Sequence, residues 1–201
     1  MEVTHDGEQE ALSRFHDLFP RLGSVAFLNH AAASPIPDPV RQAMTEATDR
    51  LASADRPDAL AMADALREKI AALVNCEPGG VAMTRSTAHG MSLIAGGLRW
   101  RPGDNVVVAE GDYPATVYPW MSLRERGVEL RMARHSDAAA ILALADAHTR
   151  VVCVNHVQFT SGHRLDVEQL GRECRGRGVL LCVDVMQSLG AVTVDVRAMQ
   201  A

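Results

Sequence analysis

From Gly79 onward the chain alternates short apolar runs with longer stretches of helical periodicity, and this alternation restricts the fold more than any single residue does. Val81 to Thr84, Asn105 to Ala109, Val128 to Met132, Val151 to Asn155, Val179 to Asp184 and Ala191 to Val194 are too short for helices. They are bracketed by Gly, Pro or polar residues, the pattern of strands buried on both faces. Between them, Ser86 to Leu98, Ala115 to Arg126, Asp137 to His148 and Asp166 to Gly176 carry helical spacing. A strand–helix–strand series predicts an α/β fold, a doubly wound, mostly parallel sheet with helices on both faces.

The upstream pattern is different. Glu8 to Phe19 is predicted as an amphipathic helix with Leu12, Phe15, Leu18 and Phe19 on one side, and Ser24 to Leu28 as a short strand. Asn29 to Pro39 holds three prolines and a run of small residues, an irregular, closely packed segment. Pro39 opens a helix to about Leu51 with Asp38 as its N-cap, and Pro57 to Val74 forms another. We therefore expect an N-terminal arm with helices over 1–78 and the sheet over 79–201, in one continuous structural unit.

Charge and composition exclude several classes of function. A net charge of −5 leaves no basic footprint for nucleic acid. The longest apolar run, Ala138 to Ala145, is too short to span a membrane, and the polar N-terminus is no signal peptide. Cys76, Cys153, Cys174 and Cys182 show no C-x-x-C pairing, and two of them fall inside predicted strands. They are expected to be reduced structural thiols in a cytoplasmic protein.

The strand ends hold the informative polar groups. Asp184 closes the run that starts at Val179, and Gln187 follows three residues later. Ligands of open α/β sheets bind at the carboxyl ends of strands; the plainer alternative is an Asp capping the next turn. Ser86 and Thr87 open a helix, where free N–H groups and two hydroxyls suit a phosphate, or simply serve as a cap. Tyr113 stands just past a strand end, placed to stack on a flat ligand or to pack beneath a loop. His156 and His163 have no third partner at ligand spacing, so no metal site is expected. Neither G-x-x-x-x-G-K-[ST] nor G-x-G-x-x-G is present. A phosphate cradle, a stacking aromatic, a carboxylate and an amide together suit a flat, phosphorylated, cationic heteroaromatic. Pyridoxal 5′-phosphate fits that description.

The stretches FLNHAAASPIP, TRSTAHGMSLIAGGL, GDNVVVAEGDYPATVYPW and VNHVQFTSGHRLDVEQLGRECRGRGVLLCVDVMQSLGAVTVDV are similar to the class V aminotransferase family of fold-type I pyridoxal-phosphate enzymes. That family includes cysteine desulfurases, kynureninases and isopenicillin N epimerase-like proteins. The resemblance extends from Phe27 to Arg197. It implies a phosphate-binding turn at Ser86, Thr87 and Ala88, a ring-stacking residue at Tyr113, and a partner for the ring nitrogen at Asp184. It also implies that Gln187 meets the ring hydroxyl and that Asn29, His30 and Ala31 line the substrate side. Phe159 departs from the cysteine desulfurases, which place an asparagine there, and looks more like the isopenicillin N epimerase-like branch.

The resemblance further implies a small-molecule amino-acid substrate, a homodimer, and a catalytic lysine after the strand that would follow Val194. The chain's one lysine, Lys69, stands in an N-terminal helix. The expectation is the N-terminal portion of such an enzyme, a C-terminally incomplete large domain without a catalytic residue of its own. A non-catalytic cofactor-binding or interaction subunit is the alternative, and an unrelated doubly wound binding domain a third.

Overall fold

Four parallel strands form the sheet: β1 (Asn105–Ala109), β2 (Glu129–Ala133), β3 (Thr149–Asn155) and β4 (Leu180–Asp184), in the order β2-β1-β3-β4. This is a computed structural model, and it describes residues 13–31, 33–56, 58–134 and 137–201. The chain divides into two compact units, the first ending at Met62 and the second running from Ala63 to Ala201. The whole sheet lies in the second.

In the first unit, residues 13–17 are helical, and Glu8 to Leu12 of the expected first helix lie outside the described residues. Helix α1 (Asp38–Ala52) begins one residue earlier than expected, with Pro37 as the N-cap. The Asp38 carboxylate turns to Arg41 at 2.7 Å and Gln42 at 3.0 Å, so it serves as a first-turn anion and not as the cap. Helix α2 (Ala59–Val74) straddles the boundary between the units, and Asp58 Oδ1 accepts from the Leu60 and Ala61 N–H groups at its start.

The second unit continues with α3 (Thr87–Gly97), α4 (Pro114–Met121), α5 (Ala138–Ala143), α6 (Val167–Gly176) and α7 (Val196–Met199). From β1 the chain crosses to β2 on one side and then returns past β1 to β3 on the other. Right-handed crossovers require helices on opposite faces for two moves in opposite directions. The core obeys this through the period-2 alternation of the strands. Val106, Val108, Val151 and Cys153 pack with Met91, Ala95, Val117 and Trp120 of α3 and α4. Val107, Val152, Val154 and Leu181 pack with Ile141, Leu170 and Cys174 of α5 and α6.

Three expected strands do not form. Residues 24–28 and 81–84 are unpaired, and Ala191 to Val194 contributes only a bridge between Leu189 and Val192. An apolar run becomes a strand only where a ladder accepts its backbone groups. The expected helix to His148 stops at Ala143, because Asp146 binds the His148 N–H at 2.8 Å and Asn105 at 2.9 Å, tying a turn beneath the sheet.

Candidate functional site

The reversal of direction falls between β1 and β3, and in an open parallel sheet this switch point opens a crevice at the carboxyl ends of the strands. Two loops rise there. The first follows β1 through Glu110, Gly111, Asp112 and Tyr113 into α4, and the second follows β3 from His156 to Arg164. The second is closed on itself, since the Gln158 N–H donates to the His163 carbonyl and the Gly162 N–H to the Gln158 carbonyl, both at 2.9 Å.

The loops are stitched to each other. The Gln158 amide donates to the Glu110 carbonyl at 3.2 Å, and the Asn155 N–H donates to Asp112 Oδ2 at 3.1 Å. Gly111 has φ +81°, and a Cβ there would stand 3.1 Å from the Gln158 amide nitrogen, so glycine answers both the turn and the close approach. Above these bonds the Tyr113 and Phe159 rings meet edge to face, centroids 5.3 Å apart. Tyr113 is half exposed at the mouth of the crevice.

Beneath the rings is a buried polar link. Asn155 and Asp184, the last residues of β3 and β4, are partners in the strand register. The Thr116 hydroxyl, fully buried in the first turn of α4, lies 2.8 Å from Asn155 Oδ1 and 3.2 Å from Asp184 Oδ2. One hydroxyl proton cannot serve two oxygens. With Asp184 ionised the proton goes to the carboxylate, and the Asn155 amide satisfies the contact by turning its NH₂ to Thr116. Asp184 Oδ1 accepts the Met186 N–H at 2.8 Å, so Asp184 also holds the turn that carries half-buried Gln187.

The helix capped by Ser86 points its start the same way. Cys153 Sγ lies 3.9 Å from Met91 Sδ of α3 and 3.6 Å from the Thr116 carbonyl of α4. At the other end, the rings of Trp100, just past α3, and Trp120 meet at 6.3 Å. The two helices therefore run in the same sense, and the first turn of α3 lies toward the carboxyl ends of the strands. Ser86 is its N-cap and accepts the His89 N–H at 3.2 Å. The N–H groups of Thr87 and Ala88 have no carbonyl within the helix to bind.

His156 is buried, with Arg164 Nε at 3.3 Å from its Nε2. The guanidinium can only donate, so the ring proton sits on Nδ1. Burial first, then Arg164, lowers its pKa and keeps it neutral. Among the described residues no three His, Cys, Asp or Glu side chains gather as a metal ion would require. Asn29, His30 and Ala31 belong to the first unit, where His30 Nδ1 lies 3.0 Å from the Ser34 hydroxyl.

The structure thus brings together Tyr113, Phe159 and Asp184, and adds Thr116, Asn155 and Asp112. Asn155 was legible as a polar residue ending an apolar run. Thr116 and Asp112 gain meaning only from the strand order.

The sequence profile of the aminotransferase class-V family matches residues 26–201. A probable cysteine desulfurase of Methanothermobacter thermautotrophicus is 36% identical over 194 residues, covering 90% of this chain and 48% of the relative. The cysteine desulfurase CsdA of Escherichia coli superposes with a TM-score of 0.80 at 22% identity, over 94% of this chain and 52% of that one. A lysine-to-alanine mutant of C-DES, with glycine covalently linked to its PLP cofactor, also superposes at 0.80, with 21% identity over 92% of this chain and 52% of that one. The chain spans about half the length of the curated cysteine desulfurases that match it over about nine tenths of its own length.

Proposed function

The chain belongs to the aminotransferase class-V family, and from that premise we propose that its second unit forms the cofactor face of a pyridoxal 5′-phosphate enzyme acting at the α-amino group of an amino acid. One observation carries this reading. Asp184 is 8% exposed, accepts hydrogen bonds from Thr116 and Met186, and has no cation among its described partners. A buried carboxylate without a cation is costly. The protonated ring nitrogen of the cofactor would supply the missing charge.

The other residues fit the same group. Thr116, itself in contact with Asn155, holds the Asp184 carboxylate in place from the side. Tyr113, pinned by its loop and by Phe159, offers an aromatic surface to the ring. Ser86, Thr87 and Ala88 offer hydroxyls and first-turn N–H groups to the phosphate, and Gln187 an amide to the ring hydroxyl. When bound, the cofactor supplies an electron sink for negative charge at the substrate Cα. This chain's part is to keep the ring nitrogen protonated, orient the ring and anchor its phosphate.

The curated relatives include cysteine desulfurases. Phe159 in place of the asparagine expected of that branch favours epimerase, lyase or transaminase chemistry here. A homodimer and a cytoplasmic setting belong to the same proposal, the latter supported by Cys153 and Cys182, free thiols on opposed register positions. No helix among the described residues is long and apolar enough to cross a membrane.

A second reading is a cofactor-binding subunit of the same fold without turnover of its own. Lys69, the lysine within these residues, is exposed on α2, in neither of the two loops. Both readings predict cofactor binding. Equilibrium dialysis against pyridoxamine 5′-phosphate, which needs no lysine, is expected to show one saturable site that Asp184→Asn weakens about tenfold or more. An absence of saturable binding overturns both.

A further inference from the structure

Asp112 makes none of the proposed cofactor contacts, yet it is buried next to them, 8% exposed, while its neighbour Tyr113 is half exposed. Its Oδ2 accepts the Asn155 N–H at 3.1 Å, and its Oδ1 is buried without a hydrogen-bond partner of good geometry. A native structure seldom leaves a carboxylate oxygen in that condition without a reason. The ionisable groups coupled to it are the Asp184 carboxylate at the end of β4 and the Cys153 thiol on β3, and no cation is among them.

We propose that Asp112 is a positioning residue with a second, electrostatic role: its carboxyl pins the Tyr113 loop to the backbone of Asn155, and its ionisation sets how much negative charge faces the ring nitrogen held at Asp184. The proposal rests on the reading that Asp184 takes that nitrogen. Burial pushes the Asp112 carboxyl up to about 6, with Asp184 adding to the rise and the Asn155 N–H and Gln158 opposing it. Below that value the neutral acid keeps its clamp and leaves Asp184 as the single charge. Above it a second anion stands close by, a cost in the free chain that a bound pyridinium relieves. Cofactor affinity therefore strengthens as Asp112 ionises, and binding in turn pulls the Asp112 proton off.

Pyridoxamine 5′-phosphate binding to the 201-residue chain, measured across this range in wild type, Asp112→Asn and Asp184→Asn, tests the idea. Asparagine retains an acceptor for the Asn155 N–H, so loss of the clamp cannot imitate loss of the charge. The ratio of wild-type to Asp112→Asn affinity is expected near one below about pH 5 and about fivefold by pH 7.5. The ligand's own protonations cancel in this ratio. A flat ratio, with Asp184→Asn still weakened, overturns the Asp112 proposal and leaves the cofactor reading standing. Unweakened binding by Asp184→Asn overturns that reading itself. Should Asp112→Asn fail to fold, carboxyl NMR on wild type decides: the signal must titrate near 6 in the free chain and shift downward on binding. Titration in the ordinary carboxylate range overturns the proposal.

Discussion

Asn155 and Asp184 face each other as register partners at the ends of β3 and β4, and a hydroxyl from α4, Thr116, reaches both. The link ties two strands and a helix at the point where the proposed ring nitrogen would dock. Thr116→Val keeps the shape and removes the hydroxyl, leaving the Asn155 amide and one Asp184 oxygen short of a partner. The expected loss is about 1–3 kcal/mol in urea unfolding, together with weaker pyridoxamine 5′-phosphate binding. Unchanged stability would mean that water replaces the hydroxyl at no cost.

The first part of this arrangement was legible in the sequence and the second was not. Asn105–Ala109 forms as the apolar run predicts, and Asp184 and Tyr113 stand at strand ends as expected. A strand's own residues show that it is buried but not which strand lies beside it. Asn155 is legible as the polar end of an apolar run, but Thr116 and Asp112 matter only because β1 and β3 are neighbours and β4 follows β3. Val81 to Thr84 shows the opposite failure, an apolar run whose residues are mostly exposed and whose backbone joins no ladder.

Asp112 also links stability to pH, and the sign follows from the raised folded value. Its carboxyl titrates about 6 when folded, against 3.8 when unfolded, so between these values the folded chain holds more protons. Stability from this group is fully present below 3.8 and is lost as pH rises through about 6. Burial without a counter-charge makes the loss about 2 kcal/mol, reduced from the full shift by water at the loop. Asp146, held below the usual carboxylate range chiefly by Arg131, acts in the opposite sense. The informative quantity is therefore the difference in unfolding free energy between wild type and Asp112→Asn from pH 4 to 7. It should change across this range, and a constant difference would contradict the burial argument.

Gly171 sets the distance between α6 and α7. A Cβ there would fall inside van der Waals contact with the Met199 carbonyl, which belongs to backbone and cannot swing aside. Gly171→Ala is expected to cost about 1–3 kcal/mol through overpacking. Gly176→Ala, at the end of the same helix with nothing within 4 Å, should be neutral or gain up to about 1 kcal/mol from helix propensity. Equal effects in denaturant unfolding would show that α7 shifts to make room.

Tyr113 separates ring surface from hydroxyl chemistry. It is half exposed, its edge-to-face contact with Phe159 uses the ring alone, and the described residues give its hydroxyl no hydrogen bond. If it stacks on a flat ligand, Tyr113→Phe should bind pyridoxamine 5′-phosphate within about twofold of wild type, and Tyr113→Ala about three- to tenfold more weakly. Little stability should be lost in either, since the ring buries only part of its surface. The discriminating result is the phenylalanine variant. If it loses as much affinity as alanine, the hydroxyl is the contact, and Tyr113 meets the ligand at its polar rim, not its face.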